Sequence, residues 1–340
     1  MSTINPSGND IISVSTDWCG KKLTLEVNRV GFRTSASVLV TYGDTVVLGT
    51  AMVGNEPISG MDYFPLSVDY EEKMYAAGKI SGSRFIKREG RPSDEAILIG
   101  RLSDRPIRPL FPKGYRQEVQ VVASVLSMDP GFRPDMVAMV AASSALMLTG
   151  TPFDGPVAGV RVGRVDGKFQ AFLNHEQRDA SELDLVVAGI EGGITMVEAG
   201  ANEVSEELVA EGLAWAHEAL QPAIKLQREL EAKIAPEVRD YDLVLPNEEI
   251  QDEVDAWTEG KLGKALRHPY PERNTLIGKL TDDFHVAMEE KHGEDYAAIR
   301  GEYAEAFTTA LHNDGRRGIV EEGVRPDGRG LDEVRPLSSE

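Results

Sequence analysis

The 340-residue sequence contains one cysteine, Cys19. That excludes an intrachain disulfide and any zinc site built on cysteines. Cys19 itself reads as a half-buried strand residue. No apolar run approaches the roughly 18 residues that a membrane-spanning helix needs. The stretch from Met1 to Asp17 lacks the basic and then apolar order of a secretion signal. The expected location is therefore the cytoplasm, with no membrane partner. The six histidines (His175, His217, His268, His285, His292 and His312) show no metal-ligand spacing. No phosphate-loop or dinucleotide fingerprint occurs, and glycine-rich stretches such as Gly189 to Gly193 read as turns.

Positive charge is also scarce overall. Lys and Arg number 36 against 56 Asp and Glu, a net charge of −20. Taken alone, that argues against nucleic acid, because phosphate repels an acidic surface. The distribution reverses the inference. Between Lys79 and Arg116 stand ten Lys or Arg and only four acids, so this stretch is net +6 and the remainder carries −26. A basic island on an acidic body is the electrostatic footprint of an anionic partner.

The first part of the chain reads as β structure. Leu23 to Glu26 alternates, and branched runs flank Tyr42-Gly43-Asp44 as in a hairpin. Phe64 to Val68 is another short strand. From Lys73 to Arg91, charge and glycine break the pattern, giving a long loop of the kind that carries function. Ser93 caps a helix expected to end before Pro106. Val119 to Ser127 alternates as a strand. Asp135 opens a helix to Leu148 that is apolar nearly all round, hence buried. Two hairpins follow, one turning at Asp166-Gly167 and one joining Leu183–Val187 to Ile194–Val197. Ser205 opens a long amphipathic helix to about Ile234, ended by Pro236. After a composition shift, residues 245–313 read as all helix, Gly315 to Gly323 as a linker, and Val324 to Glu340 as the opening strand of something further.

Ser83-Arg84-Phe85-Ile86-Lys87-Arg88-Glu89-Gly90-Arg91-Pro92-Ser93 and Arg101-Leu102-Ser103-Asp104-Arg105-Pro106-Ile107-Arg108-Pro109-Leu110-Phe111-Pro112 closely resemble the bacterial polynucleotide phosphorylase family. Tyr42 to Leu48, Asp135 to Met139 and Leu183 to Gly189 resemble it in the same order, and the match runs from about residue 20 to the end. The resemblance implies an α+β fold: an RNase PH-like core of mixed sheets and helices, with ribosomal-protein-like βαβ units, over residues 10–235. A small all-α domain over 245–313 would follow. Residues 314–340 would be a linker and the opening strand of a second RNase PH-like core. The implied whole is a phosphate-dependent 3′-to-5′ exoribonuclease that converts RNA and phosphate to nucleoside diphosphates in mRNA degradation. Its partners would be single-stranded RNA, two further copies in a homotrimer, and other RNA-degradation proteins; DNA is not expected. Mg2+ and the bound inorganic phosphate would belong to the second core.

In the family, a serine-rich segment before the buried helix holds phosphate, and a Gly-Asp-x-Asp-Phe-Lys-Val-Ala-Gly motif supplies metal and charge stabilisation. Here Pro134-Asp135 precedes that helix, and a carboxylate there repels phosphate. The motif reads Ser181-Glu182-Leu183-Asp184-Leu185-Val186-Val187-Ala188-Gly189, with Val186 at the Lys position. Glu182 and Asp184 share a strand face, but no cation accompanies them in the sequence. No catalytic or metal residue is therefore expected in this chain. Phe85, Lys87, Arg88 and Arg91 are the expected RNA contacts, combining cations with a stacking ring. Ile86 and Lys87 replace an aromatic and an arginine of the family pattern, which weakens stacking more than phosphate attraction. Arg101, Arg105 and Arg108 either line an RNA and phosphate path or form ion pairs at an interface between cores. Two rivals stand beside this reading: a free-standing, non-catalytic RNA-binding subunit of an exosome-like ring, and an independently active phosphorylase using Glu182 and Asp184.

Overall fold

The structure, a computed structural model, describes residues 10–58, 61, 63–80, 90–245 and 247–337. The chain divides into two compact units, Met1–Val244 and Leu245–Glu340.

In the first unit, six strands form one sheet: β1 (Ile12–Trp18), β2 (Lys21–Val27), β3 (Ala36–Tyr42), β4 (Thr45–Pro57), β5 (Leu66–Glu72) and β6 (Gln117–Ser127). Their spatial order is β1-β2-β3-β4-β6-β5. All neighbours are antiparallel except β5 and β6. A parallel pair needs a crossover, and helix α1 (Asp94–Ile107) lies in it, packed on β5. Its Gly100 permits that approach, since a β-carbon there would lie 2.7 Å from the Val68 carbonyl oxygen.

A second sheet has the order β10-β9-β7-β8, from β7 (Ala158–Val165), β8 (Lys168–Ala171), β9 (Leu183–Ile190) and β10 (Gly193–Ala201). Between β8 and β9 lies the short helix α3 (His175–Ala180). Two helices join the sheets into one core. Helix α2 (Asp135–Met147) has all its residues buried and packs on β3, β4, β6 and β7. At Gly49 of β4 the contact is so close that a β-carbon would lie 2.2 Å from the Ala141 carbonyl oxygen. Helix α4 (Glu206–Ile234), capped by Ser205, packs on β1, β7 and β9. The Trp18 indole is fully buried and donates to the Ala219 carbonyl (2.9 Å).

Three local expectations change. Cys19 is an exposed turn residue between β1 and β2, with φ 48°, rather than part of a strand. Helix α1 continues through Pro106 to Ile107. Both residues are buried, and in a last turn that burial outweighs the one hydrogen bond a proline removes. The expected linker at Gly315–Gly323 is helical as far as Glu321. Its Gly318 makes room rather than breaking the helix, because a β-carbon there would meet Arg267 Nη2 at 2.6 Å. That guanidinium joins Asp314 (3.0 Å) to Glu322 (2.9 Å). Beyond the helix, Val324 and Gly330 pair as an isolated bridge.

The described residues of the second unit are largely helical: α5 (Glu248–Thr258), α6 (Leu262–Leu266), α7 (Glu272–His292) and α8 (Tyr296–Glu321) around Val254, Phe284, Met288, Tyr303 and Phe307. Glu253 ties three of these helices together. It accepts from Lys291, His292 and Tyr303, each at 2.9 Å. Burial alone would raise its pKa, but these three donors outweigh that and hold it at about 2. A carboxylate with a depressed folded pKa stabilises above its unfolded pKa and loses that contribution as pH falls towards the folded value. Glu253→Gln should therefore lower the unfolding free energy of the helical unit above pH 4.5, read from urea unfolding, by about 1–2 kcal/mol after solvent screening. The gap to wild type should close as pH falls towards 2. A gap constant with pH would contradict the assignment.

Candidate functional site

Three features meet where α2 begins. Pro134 offers no side-chain cap, so the first turn is capped by Asp135, whose Oδ1 accepts from the Met136 N–H (2.8 Å). Asp135 is 1% exposed. An isolated charge at that depth costs several kcal/mol. Its compensation comes from β7, where Arg161 Nη2 donates to Asp135 Oδ2 at 2.9 Å. Arg161 Nη1 donates to both carboxylate oxygens of Asp184 on β9, at 2.9 and 3.1 Å. Burial works against the guanidinium charge, but Asp135 and Asp184 more than offset it and raise its pKa above the ordinary value. Arg161 Nε is buried and has no hydrogen-bond partner among the described residues.

The segment leading into α2 is fixed from the other side. Lys21 Nζ donates to Asp129 (2.7 Å) and lies over the Phe132 ring. That hydrogen bond, with one from the Gly131 N–H, holds the Asp129 carboxyl below the usual carboxylate range.

Glu182 pairs with Arg164 of β7. The expectation that no cation accompanies Glu182 and Asp184 is thus corrected. Antiparallel pairing places Arg161 opposite Val186, so a positive charge reaches the same sheet face from the neighbouring strand. A hint lay in the sequence: an arginine within the small and apolar run Ala158-Gly159-Val160-Arg161-Val162-Gly163 requires a carboxylate. Neither acid is free to hold a cation, and no group of three or more His, Cys, Asp or Glu suited to a metal occurs among the described residues. These residues do not fit Mg2+, and no chemistry here proceeds through it.

The expected RNA contacts divide. Phe85, Lys87 and Arg88 lie outside the described residues. Arg91 is exposed just before α1. Arg101 is exposed on α1 and has no ion-pair partner among the described residues. Arg105 pairs with Glu198 of β10 (2.6 Å). Arg108 donates twice to Asp104, at 2.7 and 2.8 Å, and to the carbonyls of Phe64 and Leu66. It thereby fastens the end of α1 to the start of β5.

Arg101 and Arg105 edge two clefts. One, of about 430 Å3, runs between α1 and β5. The other, of about 540 Å3, also contains Arg133, Arg161, Glu95 and Glu198. Arg133 is paired there with Glu95 (2.9 Å). Each arginine of this second cleft except Arg101 thus has a carboxylate of its own chain. The arrangement can attract an anionic polymer along α1. Among the described residues it presents no activated nucleophile and no cluster of ligands suited to a metal.

Residues 20–152 match the 3′ exoribonuclease family, domain 1, and residues 155–219 match domain 2 of that family. The chain is 46% identical over 326 residues to a polyribonucleotide nucleotidyltransferase of Anoxybacillus flavithermus, covering 96% of this chain and 46% of that protein. It is 44% identical over 326 residues to the enzyme of that name from Bacillus subtilis, covering 95% and 46%. For the one from Listeria welshimeri the values are 43% over 327 residues, covering 96% and 45%. The chain therefore spans about half the length of the curated relatives it matches. Among solved structures, rice Rrp46 is similar over 65% of this chain and 94% of its own, at 13% identity and a TM-score of 0.47.

Proposed function

The chain belongs to the 3′ exoribonuclease family, and on that premise we propose that it is the N-terminal part of a phosphate-dependent 3′-to-5′ exoribonuclease acting in mRNA degradation. The intact protein would convert RNA and inorganic phosphate to nucleoside diphosphates, with Mg2+ and phosphate held by a second core. The part described here would guide single-stranded RNA and scaffold a homotrimeric ring in the cytoplasm, where other RNA-degradation proteins join it. Residues beyond α8 would lead into the second core. The carrying observation is the identity of 43–46% over nearly the whole chain to proteins named polyribonucleotide nucleotidyltransferase. No described helix is long and apolar enough to cross a membrane.

A non-catalytic role for this part rests on the ion pairs at α2. Phosphorolysis needs an open anion site and cations that stabilise charge developing on the transferred group. Here Asp135 uses the helix N-terminus and Arg161 is spent on two aspartates. The expected result for this chain alone, with RNA, phosphate and Mg2+, is no release of nucleoside diphosphates above background. Robust release would refute the reading.

RNA guidance rests on the basic stretch, and filter binding across a salt series tests it. Changing Lys87, Arg88 and Arg91 together to alanine should weaken single-stranded RNA binding and flatten the salt slope by about 2, at roughly 0.7 per lost phosphate contact. Arg101→Ala should flatten it by about 0.7. Arg108→Ala should instead lower stability, since its donors serve the fold. An unchanged slope in the triple variant removes RNA contact from this surface.

A further inference from the structure

The helical unit has a basic corner of its own. Residues 260–280 hold five Lys or Arg and a single acid, Glu272, for a net charge of +4, while the rest of Leu245–Glu340 carries −14. The fold divides these cations. Arg267 turns inwards to Asp314 and Glu322 and is neutralised there. Lys261 at the start of α6, Lys264 within it and Arg273 in the first turn of α7 have no carboxylate partner among the described residues. By contrast, Lys291 and Arg329 are spent on Glu253 and Asp327. Lys261 Nζ lies 3.5 Å from the centre of the Trp257 ring, which holds the ammonium in place without cancelling its charge. The one acid is directed elsewhere, since Glu272 lies 3.6 Å from His268.

Helices α6 and α7 pack on one another, and the chain turns between them through Pro269-Tyr270-Pro271. Tyr270 is 75% exposed, more than any other Phe, Tyr or Trp among the described residues, and it stacks on no other described ring. The flanking prolines restrict the backbone on both sides, so seating the ring against a ligand costs little ordering entropy. Unneutralised cations beside a free ring suit a single nucleic acid strand, whose phosphates need charge and whose unstacked bases need a π face. An acidic peptide would use the cations but not the ring.

We infer that the corner between α6 and α7 is a second RNA-binding surface, on which Tyr270 stacks with a base of a single strand while Lys261, Lys264 and Arg273 take neighbouring phosphates. The surface follows from its own residues; only the choice of RNA over DNA rests on the function proposed above.

The test uses the full chain with Lys87, Arg88 and Arg91 changed to alanine, which separates binding at the corner from binding through that stretch. A fluorescein-labelled single-stranded RNA of about twelve nucleotides is titrated by fluorescence anisotropy across a salt series. Saturable binding should remain. Adding Lys261→Ala, Lys264→Ala and Arg273→Ala should weaken it and flatten its salt slope by about 2, at roughly 0.7 per phosphate contact. Should that variant lose the circular dichroism of the folded chain, Lys264→Gln alone, at an exposed position, should flatten the slope by about 0.7. Tyr270→Ala should weaken RNA binding at least about fivefold, the effect of one stacked base, and Tyr270→Phe should not. The same alanine change should leave affinity for an abasic sugar-phosphate strand unaltered, because that ligand has nothing to stack. No saturable binding by the parent chain, an unchanged slope in the folded cation variant, or equal losses for RNA and abasic strand each overturns the inference. So does polyglutamate binding more tightly than the RNA, which would mark the corner as a protein-docking surface.

Discussion

Replacing Arg161 by methionine is expected to destabilise the first unit by about 3–5 kcal/mol, measured as the loss of unfolding free energy in urea. The size follows from asymmetry. A buried ion pair adds little over an apolar replacement of both partners, whereas removing one partner leaves a charge without water or counterion. Asp135 is 1% exposed, and Arg161 is the cation paired with it. Its remaining hydrogen bond, from the Met136 N–H, supplies only part of the compensation. Changing Asp135 to asparagine in the same chain should recover most of the loss, because no buried charge then remains. A single-variant loss below about 1 kcal/mol would mean that Asp135 finds another counterion.

The second large effect is expected at Gly49. Alanine there would place its β-carbon 2.2 Å from the Ala141 carbonyl oxygen and 2.5 Å from the carbonyl carbon. Both partners are main chain of regular elements, β4 and α2, so neither can yield as a flexible side chain can. The cost should reach about 3 kcal/mol, the upper range of overpacking, read from urea unfolding. Helix α2 would have to lift from β4, and Asp135 would move with it. The Gly49→Ala and Arg161→Met effects should therefore sum to less than their separate values. Strict additivity would show that α2 keeps its position.

The features legible in the sequence were those decided by neighbours along the chain. The turn at Asp166-Gly167, with both residues at positive φ, needs only local geometry. The Ser205 cap and the span of α4 follow from one amphipathic face and a terminating proline. The burial of α2 follows from an apolar surface on every side. What could not be read depended on residues far apart. Arg161 meets Asp135 and Asp184 across 26 and 23 positions, and the register of two strands decides the meeting. Val186 carries no charge, but its cross-strand partner Arg161 does. Gly315 and Gly318 looked like a break because glycine usually is one. At Gly318 the missing side chain is space for the Arg267 guanidinium, a reason that exists only once α6 is folded beside α8.

The exchange of helices between the sheets also sets when the chain can fold. Strand β1 of the first sheet packs on α4, whose first half lies in domain 2, and β7 of domain 2 rests on α2 of domain 1. On the ribosome, Trp18 emerges with its indole N–H unmet, and its acceptor, the Ala219 carbonyl, is made 201 residues later. At elongation rates of about 5–20 residues per second that is a delay of roughly 10–40 s. For that interval the buried residues of β1, Val14 and Trp18, lack their cover. The core of the first unit therefore cannot be completed until α4 has been made.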